Sequence, residues 1–405
     1  MLFHSASGLE GLLRDCLEVH GNSVKIVDAH RLREDRLDAL LYNALLQPNE
    51  KVRYFLCWLI RQAASECAIY PASLAGLYAK AGRGQIPKFI LPAATLRHIP
   101  YAASRAAFRA AREAGSGAVV FSLSPEPTLS PVDYATCLLA AALREGYEGP
   151  LFFEADHLCA EAAEDVSRLQ DGIEEALAAG FFNLLFDLSR LVDLTLPESN
   201  AQAACTLCAE LASSVRRNEP KGVDSALGVR FACRSDTDLV PFLRAFMEGF
   251  EVAFVSRAGH VPGIGKFDLR IRGVVDLPVA IDFAEVARRE YFLPTRISVE
   301  DASALEQVLA EEERLPFAEL HLGDWLADKL SFYTQPWDLS REEQEALIDE
   351  LAADWEALFK RLKAVDNIHL VLESVTIQQT ELPRPAEGYH QDAETYYRDI
   401  LDQLG

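Results

Sequence analysis

A chain of 405 residues exceeds one small module and fits either one large domain with additions or two domains. Half of its residues are apolar and 25% are charged, an ordinary globular composition that excludes disordered and fibrous classes. Its 39 Lys and Arg face 62 Asp and Glu; the net charge of −23 repels phosphate backbones and argues against nucleic-acid partners, while leaving room for one local basic pocket.

In chain order, the first twenty residues interrupt their apolar stretches with Glu10, Arg14, Asp15 and Glu18, so no signal peptide is expected there. No run approaches the roughly 18 apolar residues of a spanning helix. Eight cysteines are too sparse for a disulfide scaffold. Together these features predict a cytoplasmic protein with reduced thiols and no membrane partner. Residues 1–87 read as an N-terminal helical region, with helices at Glu50–Glu66 and 71–80 and a hinge at 82–85.

From 88 to 339, short apolar runs alternate with longer helical patterns. Runs at 89–91, 118–123, 151–154, 184–187, 227–231, 252–255, 296–299 and 318–322 are rich in Phe, Leu, Val and Ile, as strands buried on both faces are. Helical patterns lie at 102–113, 131–145, 167–179, 198–217, 239–248, 283–289 and 302–313. Ser130 before Pro131 is a sound N-cap and first helical position, and Gly146 and Gly180 suit C-caps. Eight strands each followed by a helix, over about 250 residues, predict a (β/α)8 TIM barrel. The turn after the first strand, Leu91-Pro-Ala-Ala-Thr-Leu-Arg97, lacks the glycines that an open doubly wound sheet would place there.

Cys205 and Cys208 form a C-x-x-C inside a helical pattern, with no second pair or nearby His to complete a zinc set, and are expected in the core. Residues 340–405 read as a C-terminal helical extension. It comprises an amphipathic helix over 340–363 with Ser340 as N-cap, a strand-like stretch at 368–377, a Pro-containing break at 381–388 and a last helix. The Leu347, Leu351 and Leu358 stripe of the first helix either covers the barrel or offers a partner surface.

Barrel active sites sit at the C-terminal ends of the strands. Polar residues expected there are Glu154, Asp156 and His157 after strand three, Asp187, Ser189 and Arg190 after strand four, and Arg230, Cys233 and Arg234 after strand five. Ser256, Arg257 and His260 follow the expected strand six, Glu300 and Asp301 strand seven, and His321, Gly323 and Asp324 strand eight. His and carboxylate together suit a divalent metal, and arginines suit an anionic substrate. A metal on His157 would polarise a carbonyl while Asp156 moves the proton. The loop Ser256-Arg-Ala-Gly-His-Val-Pro-Gly-Ile-Gly-Lys266 would hold a phosphate on its amides and Lys266, with a plain Gly/Pro turn as the alternative. His321 points either into the barrel mouth or into the core.

The stretch from Phe89 to about Tyr333 resembles the class II, metal-dependent ketose-bisphosphate aldolases. Phe152-Phe-Glu-Ala-Asp-His157 is similar to the family segment ending in Asp-His, and Glu175-Ala-Leu-Ala-Ala-Gly-Phe-Phe-Asn-Leu-Leu-Phe-Asp-Leu-Ser189 to its Ala-Gly-Phe passage. The resemblance implies Asp156 as acid/base, His157 and His260 as ligands of zinc or another divalent metal, and Arg257, Gly263, Gly265, Lys266, Asp187 and Ser189 around a phosphorylated sugar. It also implies a homo-oligomer. The chain departs from the family at Leu227-Gly-Val-Arg-Phe231, which carries no carboxylate, and at Ser298-Val-Glu-Asp301, where His-Gly is expected. His260 stands one step beyond its expected place. The metal site is therefore incomplete, and three readings follow: a carbon–carbon lyase of sugar-phosphate metabolism with a remodelled site, a catalytically silent paralogue that binds a ligand or a partner, or a metal-free epimerase or lyase that uses Asp156 and an arginine-stabilised enolate.

Overall fold

The computed structural model describes residues 2–87, 90–115, 118–123, 128–192, 197–234, 236, 238–259, 263–271, 274–299, 307–310, 318–322, 326–331, 339–362, 371, 374–375 and 392–405. Eight parallel strands close on themselves: β1 (Ile90–Thr95), β2 (Val120–Leu123), β3 (Gly149–Cys159), β4 (Asn183–Asp187), β5 (Ala226–Ala232), β6 (Lys266–Ile271), β7 (Thr295–Val299) and β8 (Ala318–His321). Each pairs with the next, and β8 returns to β1 through Ala318 opposite Ile90 and His321 opposite Ala93. The fold is the (β/α)8 TIM barrel that the alternation predicts.

Six helices follow the first six strands: α1 (Pro100–Ala114), α2 (Pro131–Glu145), α3 (Val166–Ala179), α4 (Pro197–Asn218), α5 (Leu239–Ala258) and α6 (Leu277–Tyr291). Ser130 Oγ accepts from the Asp133 amide at the start of α2. Gly146 and Gly180 end α2 and α3 at φ of 65° and 94°, in the left-handed region open to glycine. Cys205 and Cys208 are buried and free in α4.

Strand six lies elsewhere than 252–255. Those residues belong to α5, which runs on through Gly249 because Phe242, Phe246, Phe250 and Phe254 recur every fourth position as one buried, stacked stripe. Gly249 is no terminator: a Cβ there would stand 2.6 Å from Cys205 Sγ, so the glycine lets α5 approach α4. The true sixth strand, Lys266–Ile271, alternates charged and apolar residues and so escapes a search for continuous apolar runs.

The flanks brace the barrel. The N-terminal region holds the helix Glu50–Glu66 and also a hairpin, Leu17–His20 against Ser23–Ile26. A short strand, Ile69–Pro71, pairs beside the start of β3. Helix Ala75–Gly82 inserts Tyr78 into the N-terminal end of the barrel, where it packs with Leu91, Val120, Phe152 and Ala226. After the barrel, helix Arg341–Arg361 carries a capping box between Ser340 and Glu343. It docks on α1: Arg105 and Arg109 pair with Glu345, and Arg109 also with Asp349. Ile348, Leu351, Trp355, Leu358 and Phe359 are buried, so the apolar stripe is structural. Of the strand-like stretch expected at 368–377 only Val371, Ser374 and Val375 are described, with Val371 and Ser374 helical rather than extended; 302–306, 311–313 and 381–388 lie outside the described residues.

Candidate functional site

Alternation along a strand sends every second side chain into the barrel. Above the apolar layer around Tyr78, many positions facing inward carry charge: Glu154 and Asp156 on β3, Asp187 on β4, Arg230 on β5, Lys266, Asp268 and Arg270 on β6, Arg296 on β7 and Glu319 on β8. All but Arg270 are buried. Near the N-terminal end, Lys266 Nζ donates to Glu154 Oε2 at 2.7 Å and to Glu319 at 2.9 Å, and to Tyr78 Oη at 3.0 Å. Tyr78 in turn donates to Glu319 at 2.6 Å. Gly228 leaves the lane that Lys266 crosses, since a Cβ there would meet Lys266 Cε at 3.0 Å and Leu185 Cδ1 at 2.8 Å.

One level higher, Arg296 donates to Glu154, to Glu319 at 3.0 Å and to Asp268 at 2.7 Å. Asp268 also accepts from Arg230 Nε at 2.7 Å and Ser298 Oγ at 2.6 Å. The two outer nitrogens of Arg230 reach both oxygens of Asp156, a bidentate pair at the C-terminal half of the barrel. Arg230 also lies 3.5 Å from Asp187, which accepts from Arg270 at 2.8 Å and from the Ser189 amide at 2.9 Å. His321 Nε2 shares a hydrogen bond with Thr95 Oγ1 at 3.1 Å and stands 3.9 Å from Asp156 Oδ2.

The carboxyls in this lattice are pushed apart. Burial lifts Asp156 to about 6, the opposing pull of Arg230 notwithstanding. Burial acts the same way on Glu154 and Asp268, but Arg296 with Lys266 holds Glu154 down at about 2, and the two arginines hold Asp268 far below the ordinary range. Burial and the neighbouring arginines keep His321 well below its usual range, so it is neutral. Among these interior groups five carboxylates face four cations. One proton on the lattice balances it, and Asp156 is the carboxyl that takes it most readily.

Asp156, Asp187 and Ser189, expected at the mouth, do lie together there. Arg230 and His321, also expected there, join them, whereas His157, Arg257, Gly263, Gly265 and Lys266 do not. His157 follows Asp156 on the strand, and its ring turns toward α3, with Nε2 4.0 Å from where a Cβ on Gly172 would stand. Its Nδ1 is buried without a partner, and burial lowers the ring to about 4. Arg257 is exposed on α5 and donates to the Ala253 carbonyl. Gly263 and Gly265 precede β6, and Lys266 opens it, which puts all three at the N-terminal end, opposite the mouth; these corrections follow from the shifted sixth strand. His260, Glu300, Asp301, Gly323 and Asp324 lie outside the described residues.

Several mouth residues were missed: Thr95, Cys159, Asp268, Arg270, Arg296 and Ser298. The alternations Lys-Phe-Asp-Leu-Arg-Ile over β6 and Thr-Arg-Ile-Ser-Val over β7 were the available signal. Cys159 pairs in register with Asp187, and burial pushes its thiol up to about 12, out of the thiolate range at neutral pH.

A divalent metal does not fit the described part of this site. Both oxygens of Asp156 are engaged by a guanidinium, His157 faces α3, and among the described residues no group of three or more His, Cys, Asp and Glu is placed to hold an ion. No helix among them is long and apolar enough to cross a membrane.

The fold and its interior define a (β/α)8 barrel with an ion-paired polar mouth at the C-terminal ends of its strands. No protein-family model and no curated protein sequence matches the chain. Among solved structures, the chain is similar to a protein assigned as a fructose-1,6-biphosphate aldolase from Coccidioides immitis, at 18% identity and a TM-score of 0.45 over 73% of this chain and 97% of that one. It is similar to a protein assigned as a tagatose 6-phosphate kinase from Sinorhizobium meliloti at 17% identity and a TM-score of 0.40, covering 71% and 88% of the two chains. A dihydrodipicolinate synthase family protein from Coccidioides immitis follows at 10% identity and a TM-score of 0.35, covering 78% and 95%.

Proposed function

We propose that the barrel is a metal-independent enzyme that moves a proton next to the carbonyl of a small phosphorylated ketose, making or breaking a carbon–carbon bond in the manner of an aldolase. The observation that carries this reading is the Asp156–Arg230 pair at the C-terminal half of the barrel beside neutral His321. A carboxyl lifted to about 6 is poised to accept and return a proton near neutral pH. The guanidinium beside it supplies fixed positive charge for an enolate oxygen, the role a metal ion would otherwise fill. His321 and Thr95 complete the polar wall.

A second reading is a catalytically silent barrel that binds a ligand or a partner protein. It draws on the saturation of the interior, where Arg230, Asp268, Arg296 and Glu319 each expose 1% or less and already hold partners. One experiment separates the two. The purified protein is incubated in D2O and EDTA with ketose mono- and bisphosphates; proton exchange next to the carbonyl is followed by NMR and triose-phosphate release by a coupled assay. Exchange that survives EDTA and disappears in Asp156→Asn supports the metal-independent enzyme. Exchange that needs added zinc overturns the metal-independent site, and none under any condition leaves the silent reading.

A further inference from the structure

Resting on the acid–base role proposed for Asp156, we infer that Asp268 is a positioning residue that aims Arg230 at Asp156 and away from Asp187. Arg230 has two carboxylates within reach of its outer nitrogens: Asp156, which it binds bidentately, and Asp187 at 3.5 Å. Nothing in the guanidinium itself selects between them. The third edge does. Nε donates to Asp268 at 2.7 Å, and because the guanidinium is planar, fixing that edge fixes the direction of the other two nitrogens.

Asp268 is well placed for this. It is fully buried, Ser298 Oγ at 2.6 Å orients its other oxygen, and Arg296 at 2.7 Å shares the oxygen that holds Arg230. Arg296 is itself held by Glu154 and by Glu319 at 3.0 Å. The direction of Arg230 is thereby referred to a frame built from β3, β6, β7 and β8. Asp268 is fully buried and acts through Arg230.

The test reads Arg230 directly in the full chain labelled with 15N-arginine. Wild-type protein is expected to show resolved, slowly rotating outer N–H signals for Arg230, identified by their loss in Arg230→Lys. Asp268→Asn is expected to average or broaden them, and Ser298→Ala, a milder change, to shift the Arg230 Nε–H signal with the fold intact by circular dichroism. Resolved and unshifted Arg230 signals in Asp268→Asn overturn the inference, because Asp156 alone would then hold the guanidinium. If Asp268→Asn does not fold, unchanged signals in Ser298→Ala overturn it. In the D2O exchange assay, Asp268→Asn should lower the turnover rate at least tenfold with little change in KM. Averaged Arg230 signals without any wild-type exchange would sink the proposed chemistry and leave the positioning role standing.

Discussion

Arg296→Met removes one positive charge from the centre of the lattice while keeping much of the side chain's volume. The guanidinium is fully buried and serves Glu154, Glu319 and Asp268, none of which reaches water. Removing one partner of a buried ion pair costs roughly 3–5 kcal/mol. Lys266 still serves Glu154 and Glu319, and Arg230 with Ser298 still serves Asp268, so the bonds do not add and about 3–5 kcal/mol is expected in all. Urea unfolding at pH 7 and pH 5 measures the loss. In wild type, Glu154 sits at about 2 against 4.5 unfolded, so its contribution is complete above 4.5 and fades only as pH falls toward 2. Without Arg296 the buried carboxyl rises above its unfolded value, the folded variant binds the proton first, and its deficit shrinks as pH falls from 7 to 5. Asp156 does not cancel in the difference: Arg296 also pulls its carboxyl down, so the variant's Asp156 rises further and adds to the shrinkage of the deficit toward pH 5. A deficit under about 1 kcal/mol at pH 7, or one that does not shrink at pH 5, would refute a lattice held by charge.

Three further outcomes follow from the packing. Gly249→Ala should destabilise by roughly 1–3 kcal/mol through overpacking against Cys205, and Cys205→Ala should restore part of it in a urea double-mutant cycle. Trp355→Ala, fully buried on the docked C-terminal helix, should cost roughly 3–5 kcal/mol and speed tryptic cleavage between 340 and 362. Ser130→Ala removes the cap of α2 and should cost about 1 kcal/mol, read as a lowered urea midpoint with an unchanged slope.

The barrel was legible because its order rests on period and punctuation. Seven of the eight strands fall where apolar runs lie, and the helix after the second strand begins and ends at its Ser130-Pro131 and Gly146 signals. The sixth strand was hidden by two local facts. Gly249 resembles a helix end but is a close contact between helices, and Lys266, Asp268 and Arg270 make β6 look half-exposed. That single displacement carried Arg257, Gly263, Gly265 and Lys266 to the wrong end of the barrel. His157 was misplaced for a different reason: consecutive residues on a strand turn opposite ways, so a site that uses Asp156 from inside the barrel does not receive its neighbour's ring.

The polar interior explains why the inward positions were hard to read. A barrel filled by apolar layers would have exposed its inward positions as hydrophobic alternation; here those positions carry ions, whose partners come from other strands and leave no local spacing to read. Arg230 illustrates the consequence. In sequence it is a cation where the resembled family would have a carboxylate. In the barrel it engages both oxygens of Asp156 and one of Asp268, a fixed positive charge whose partners come from two other strands.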